Sequence, residues 1–292
     1  MNAWNGDGPV PRDVLLDAVS DIDGLLCMLT DMIDEELLAA APRLEAVSQM
    51  AVGVDNIDVS ACERRGIVIG HTPGVLTETV ADTAFALLAS IVRRLPEGEK
   101  VVRRGKWGPW SPSFLNGGDL HGTTIGIIGM GRIGNAVARR ARGFDMEIVY
   151  TSPRESNEVE ARRLSLDELL EIADHVVVCV ALNTETHQMI GRRELASMKR
   201  GAYLVNVSRG PVVDTEALVE ALGAEVIAGA ALDVTDPEPL PPDHPLLELS
   251  NCLVVPHIAS SSCKTREAMG LMAADNLVAA LTGAELPARY RG

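Results

Sequence analysis

The chain has 292 residues, room for two domains at roughly 100–200 residues each. It is 47% apolar and 23% charged, the mixture of an ordinary globular protein, which excludes disordered and collagen-like chains. Lys plus Arg number 26 against 41 Asp plus Glu, a formal net charge of −15. A surface of that sign repels nucleic acid and anionic lipid, so neither is an expected partner. An anionic ligand would have to be held by a few local cations.

The five cysteines, Cys27, Cys62, Cys179, Cys252 and Cys263, are scattered and contain no C-x-x-C pair. Three lie in apolar runs and read as small core residues. No apolar run is long enough to span a membrane, and the first dozen residues have no apolar stretch of the secretory type. A soluble cytoplasmic protein is expected. The histidines, His71, His121, His175, His187, His244 and His257, show no ligand spacing, so no metal is expected.

In chain order, short apolar runs at 24–30, 44–51 and 66–70 read as strands, each followed by a helix-like stretch. A long helix then interrupts the rhythm. Val80, Ala84, Leu87, Leu88, Ile91, Val92 and Leu95 fall on one helical face, with Thr79-x-x-Asp82 as a variant capping box and Pro96 as the stop. An exposed loop at 104–114 holds Trp107 and Trp110. Further strands are expected at 124–129, 147–150, 175–180, 202–207, 226–232 and 252–256, and a last helix at 264–281 packs back on the first domain. Such alternation predicts α/β architecture, with parallel, doubly wound sheets covered by helices on both faces. The expected division is a substrate domain of residues 1–73 plus 263–292 and a dinucleotide-binding domain of residues 74–262. Three strands before Pro73 are fewer than an open sheet of this kind usually has, so the first domain is expected to lack its first strand.

Gly129-Met130-Gly131-Arg132-Ile133-Gly134 follows a strand and opens a helix, the context a dinucleotide fingerprint requires. Gly129 would make the tight turn, Gly131 would admit a pyrophosphate, and Gly134 would let helix and strand pack. The helix N-terminus offers free N–H groups to phosphate. The next strand ends in Thr151-Ser152-Pro153-Arg154 with no acid before Glu155. Hydroxyls and an arginine there favour the 2′-phosphate of NADP(H), with NAD(H) as the other possibility; Pro153 removes one N–H donor.

Three later strand ends carry ionisable groups: Asn206-Val-Ser-Arg209-Gly210, Asp233-Val-Thr-Asp-Pro-Glu238 and Pro256-His257-Ile258-Ala259. Ligands bind outside the carboxyl ends of strands in open α/β sheets. Each residue alone has a structural explanation; Arg209, Glu238 and His257 together, downstream of the fingerprint, make a catalytic set.

These segments, with Met50-Ala-Val-Gly-Val-Asp-Asn56, resemble the D-isomer-specific 2-hydroxyacid dehydrogenase family over residues 21–286, most nearly its glyoxylate/hydroxypyruvate reductases. The resemblance implies that Arg209 binds the substrate carboxylate and carbonyl oxygen. It makes His257 the proton donor to a 2-keto acid and Glu238 its partner. Backbone amides near Val52 and Gly53 would hold the carboxylate. Gly131, Arg132 and Ile133 would contact pyrophosphate, and 151–154 the adenosine ribose. Ala181, Val207, Asp233 and Ala259 align with further cofactor contacts. The resemblance also implies a homodimer through the cofactor domain, by way of the long helix and the Trp loop. A carboxylate beside His257 favours its charged form, and Arg209 stabilises negative charge on the substrate oxygen. Two alternatives stay open: reduction of another 2-keto acid with NADH, or a dinucleotide-sensing, corepressor-like binding protein.

Overall fold

The computed structural model describes residues 3–291. The chain divides into two compact units, Met1–Leu76 with Ser262–Gly292, and Thr77–Ser261. Among the described residues no helix is long and apolar enough to cross a membrane.

In the first unit α1 (Arg12–Ala18), β1 (Gly24–Cys27), α2 (Glu35–Ala40), β2 (Ala46–Gln49), α3 (Val59–Arg64) and β3 (Val68–Gly70) alternate. The strands form a parallel sheet in the order β1–β2–β3. Two of the helices start on side-chain caps. Asp34 accepts the Leu37 N–H at 3.0 Å and Asp58 the Ala61 N–H at 2.8 Å, each satisfying a donor that the first helical turn leaves free. Cys27, Val47 and Ile69 bury one sheet face among Leu15, Leu37, Leu38, Ala61 and Cys62. Ser48 points to the opposite face, as strand alternation demands. There its hydroxyl donates to Ala273 O of the C-terminal helix (Cys263–Thr282) at 2.7 Å. That helix packs on the small sheet as expected. A Cβ at Gly24 or Gly70 would come within 2.8 Å of Leu277 or 2.7 Å of Asn276. Asn276 is fully buried; it donates to His71 O at 2.9 Å and accepts the Ala288 N–H at 2.8 Å, tying down the tail.

The second unit opens with α4 (Thr77–Val92) and α5 (Leu95–Arg103) and continues through β4 (Thr124–Ile128), α6 (Arg132–Arg142), β5 (Glu147–Thr151), β6 (Arg162–Arg163), α7 (Leu166–Ile172), β7 (His175–Val178), α8 (Arg192–Ser197), β8 (Tyr203–Asn206), α9 (Thr215–Gly223), β9 (Gly229–Leu232) and β10 (Cys252–Val254). The strands form one parallel sheet in the order β10–β9–β8–β7–β4–β5–β6. The chain therefore enters at β4, winds outward to β6, and returns to β7 on the other side of β4. The switch point lies between β4 and β7, where open α/β sheets leave a crevice at the carboxyl ends. Neighbouring residues of β4 show helices on both faces. A Cβ at Gly126 would strike Leu169 of α7 at 2.5 Å, while Ile127 touches the position a Gly134 Cβ on α6 would occupy, at 3.2 Å.

The long helix differs from expectation. α4 starts at Thr77, so Thr79 and Asp82 lie inside it and form no capping box; Asp82 instead accepts Arg140 Nε from α6 at 2.8 Å. The helix ends at Val92, and Arg94, at φ 53°, turns the chain into α5, with Pro96 in its first turn. Proline lacks an N–H that the first turn does not need, so it begins this helix rather than ending the previous one. Leu95, read as part of the buried stripe, is 57% exposed. The two-residue β6 and the short α1 carry too little periodicity to be read from sequence.

Candidate active site at the strand ends

The turn after β4 is held by close approach. Gly129 has φ +98°, a conformation that L side chains rarely adopt, and its Cβ would lie 2.9 Å from the Cys179 carbonyl beyond β7. A Cβ at Gly134 would sit 2.1 Å from Gly129 O. Gly131 is different: nothing in the chain lies within 4 Å of its added Cβ. Two glycines thus fold the turn and the third keeps its outer side open beside the α6 N-terminus, a cradle that fits a pyrophosphate. Arg132 and Ile133 begin that helix, exposed and half-buried respectively, whereas Met130 is buried. Gly129 N–H donates to Thr151 O at 2.9 Å, which brings the end of β5 to the turn. Ser152 follows half-buried and Arg154 is exposed.

Residues that sequence reasoning passed over support this turn. Buried Asn135 donates to Met130 O at 3.1 Å and Gly131 O at 3.0 Å, and accepts the Ser156 hydroxyl at 2.9 Å. Arg163 donates to Ser152 O and Pro153 O at 3.1 and 3.0 Å. A polar residue on the buried face of a helix was the legible signal for Asn135; Arg163 gave none.

The three later strand ends belong to the same sheet. After β8, buried Asn206 accepts the Ser208 N–H at 3.0 Å and its hydroxyl at 2.7 Å, and donates to Arg209 O at 2.9 Å. The next residue, Gly210, lies against the chain after β9, where a Cβ would be 1.9 Å from Thr235 O. After β10, His257 adopts φ 52°. Asp233, at the end of β9, holds it there: Asp233 O accepts the His257 N–H at 2.9 Å, and the carboxylate accepts Ile258 N–H at 2.7 Å and Ala259 N–H at 3.1 Å. His257 Nδ1 then meets Glu238 Oε1 at 2.6 Å.

Burial raises the Asp233 carboxyl above the usual 3.8, with the Ile258 and Ala259 N–H groups and His257 pulling against it. Burial acts the same way on Glu238, but there the His257 hydrogen bond and charge, the Thr235 N–H and the Arg209 guanidinium outweigh it, and its pKa lies below the usual 4.5. Glu238 therefore stays ionised near neutral pH, within the field of both Arg209 and His257. The structure thus brings Arg209, Glu238 and His257 to one end of one sheet. Val207 and Ala259 are buried beside these turns, and Ala181, beyond β7, is exposed and accepts the Thr186 hydroxyl through its carbonyl at 2.6 Å. Val52 and Gly53 lie in the other unit, in the half-exposed loop after β2. Among the described residues no group of three or more His, Cys, Asp or Glu could hold a metal ion.

Residues 85–259 match the model of the D-isomer specific 2-hydroxyacid dehydrogenase NAD-binding domain. A glyoxylate reductase of Korarchaeum cryptofilum is 50% identical over 98% of this chain and 88% of its own. The chain belongs to the D-isomer specific 2-hydroxyacid dehydrogenase family. The human glyoxylate reductase/hydroxypyruvate reductase is 42% identical over 100% of this chain and 90% of its own. Among solved structures, a Thermus thermophilus protein superposes with a TM-score of 0.92 at 47% identity, covering 97% of this chain and 90% of that one. The NADPH-dependent glyoxylate/hydroxypyruvate reductase of Sinorhizobium meliloti, solved with NADP and malonate, superposes with a TM-score of 0.86 at 36% identity, covering 96% and 86%. A nicotinamide cofactor follows from the family, and the open cradle at Gly131 fits one.

Gly131 and Gly134 differ in a way that melting and binding separate. Gly131→Ala is expected to leave the melting temperature near that of the unsubstituted chain and to weaken binding of the nicotinamide cofactor. Gly134→Ala, forced against Gly129 O, is expected to destabilise the fold by about 1–3 kcal/mol, read by thermal or urea unfolding. Equal stability of the two variants would contradict the packing argument.

Proposed function

We propose that this protein reduces glyoxylate or hydroxypyruvate to glycolate or D-glycerate with a nicotinamide cofactor, NADPH by preference. The observation that carries the reading is the Glu238–His257 pair at 2.6 Å, set at the strand ends beside Arg209 and downstream of the open glycine cradle. The names of the similar proteins support the substrate, and favour a reductase over a corepressor-like sensor. The cofactor supplies hydride to C2 of the keto acid. In this reading, turn residues Gly131, Arg132 and Ile133 take the pyrophosphate, with Gly129, Met130 and Gly134 shaping the turn. Thr151, Ser152 and Arg154, with no acid at the strand end, favour a 2′-phosphate. Ala181, Val207, Asp233 and Ala259 line the remaining cofactor path.

Arg209 binds the substrate carboxylate and carbonyl oxygen, answering how so acidic a protein holds an anion. In the other unit, the amides of Val52 and Gly53 bind a substrate carboxylate. As C2 gains hydride, negative charge gathers on the oxygen, where Arg209 stabilises it. With Nδ1 committed to Glu238, Nε2 is the ring nitrogen left to give a proton to that oxygen. Ionised Glu238, bonded at Nδ1, fixes the orientation of this ring.

The free cysteines support a reducing, cytoplasmic setting. A homodimer through the second unit is supported by apolar side chains crowded on α5 and the loop after it: Leu95, Val102, Trp107, Trp110 and Phe114 are all more than half exposed. Light scattering is expected to give twice the chain mass; a monomer would contradict it.

The function is tested by initial rates of NADPH and NADH oxidation with glyoxylate and hydroxypyruvate. We expect NADPH-selective turnover, cut about 100-fold or more in His257→Ala with NADPH binding retained. Turnover unchanged by that substitution would contradict the assignment of His257, and selectivity for NADH would contradict that of the 151–154 turn.

A further inference from the structure

The loop after β2 carries the Val52 and Gly53 amides, and what faces its other side is specific. Thr72 N–H donates to Ala51 O at 2.8 Å. His71 Nδ1 lies 2.9 Å from Val52 O. In a trans peptide the C=O and the N–H of the following residue point in opposite directions. The first bond therefore orients the Val52 N–H and the second the Gly53 N–H, both away from residues 71–72. Neither of those N–H groups has an acceptor among the described residues, and both residues are half-exposed. The loop thus holds a pair of aimed, open donors.

His71 is itself fixed on all sides. Its N–H donates to Ala288 O at 3.1 Å, and its carbonyl accepts Asn276 Nδ2 at 2.9 Å. Its ring stands edge-on to Tyr290, with centroids 5.4 Å apart. A carbonyl oxygen can only accept, so Nδ1 must carry the proton. A donor on Val52 O also polarises the peptide and strengthens the Gly53 N–H as a donor in turn.

We infer that His71 is a positioning residue: through the Val52 carbonyl, its Nδ1 proton aims the Gly53 N–H at the carboxylate of the substrate. The inference rests on the reading that the Val52 and Gly53 amides bind that carboxylate. His71 touches no reacting atom and acts only through the loop.

The test uses the full chain with His71→Leu, which removes the donor, and His71→Asn, whose side-chain amide can stand in for Nδ1–H. For His71→Leu we expect KM for glyoxylate to rise about fivefold or more, with kcat and the NADPH Kd held, while His71→Asn stays near the parent KM. Parent-like KM in His71→Leu, or a KM in His71→Asn raised as much as in His71→Leu, overturns the inference. So does a His71→Leu variant in which KM rises only together with a fall in kcat, NADPH affinity and melting temperature.

A readout independent of turnover separates this inference from the reading beneath it. At about pH 8 the 15N spectrum of the imidazole is expected to show the proton on Nδ1; a ring protonated on Nε2 alone overturns the inference whatever the substrate. The Gly53 amide signal is expected to move on addition of malonate in the parent chain and in His71→Asn, and not in His71→Leu. That pattern without any glyoxylate turnover would support His71 and reject glyoxylate as substrate.

Discussion

One buried carboxylate at the end of β9 organises the proposed chemistry. Asp233 offers its carbonyl to the His257 N–H and its side chain to the next two amides. Those bonds hold His257 at φ 52°, a backbone state that costs a side-chain-bearing residue roughly 1–2 kcal/mol. The strained turn points the ring at Glu238, and the 2.6 Å contact between them is the result. Burial works against ionised Asp233, and the amides it holds oppose that cost. The same residue thus stores the strain and offsets it.

Close approach of backbone does comparable work at two other places. Gly134 admits the carbonyl of Gly129, and Gly210 admits the carbonyl of Thr235. The first contact shapes the turn between β4 and α6; the second sets the Arg209 turn against the chain that leads to Glu238. In the second, as where Gly129 meets the Cys179 carbonyl beyond β7, the absence of a Cβ lets two strand-end loops share one small space, which is how residues from separate strands come to face the same end of the sheet. Asn206 and Asn135 then fix the loops by bonding carbonyls within each turn.

Much of this was legible in the sequence because the physics is local. Most of the strands are buried or half-buried on both faces, so they read as short continuous apolar stretches, and each expected run overlaps an observed strand. The glycine spacing carried its own steric logic. The misses were also physical. Arg94 in a left-handed conformation ended α4 where the apolar stripe ran on to Leu95, and Pro96 opened α5 instead of closing its predecessor. β6 has two arginines, which no period can mark as a strand. Asp233, read only as a possible cofactor contact, proved to hold the His257 turn, because a bond from a carboxylate to amides some 25 residues later has no sequence signature. The link from His71 to Val52 depends on tertiary pairing in the same way.

Asp233 thus creates the geometry in which His257 and Glu238 would work. The most direct test is the kcat of glyoxylate reduction with NADPH in Asp233→Ala, measured on protein shown by melting to be folded. We predict a fall of about 100-fold or more, because Ile258 and Ala259 lose their acceptor and the ring loses its aim. A folded Asp233→Ala variant with the kcat of the unsubstituted chain would mean that the His257 turn is aimed without Asp233.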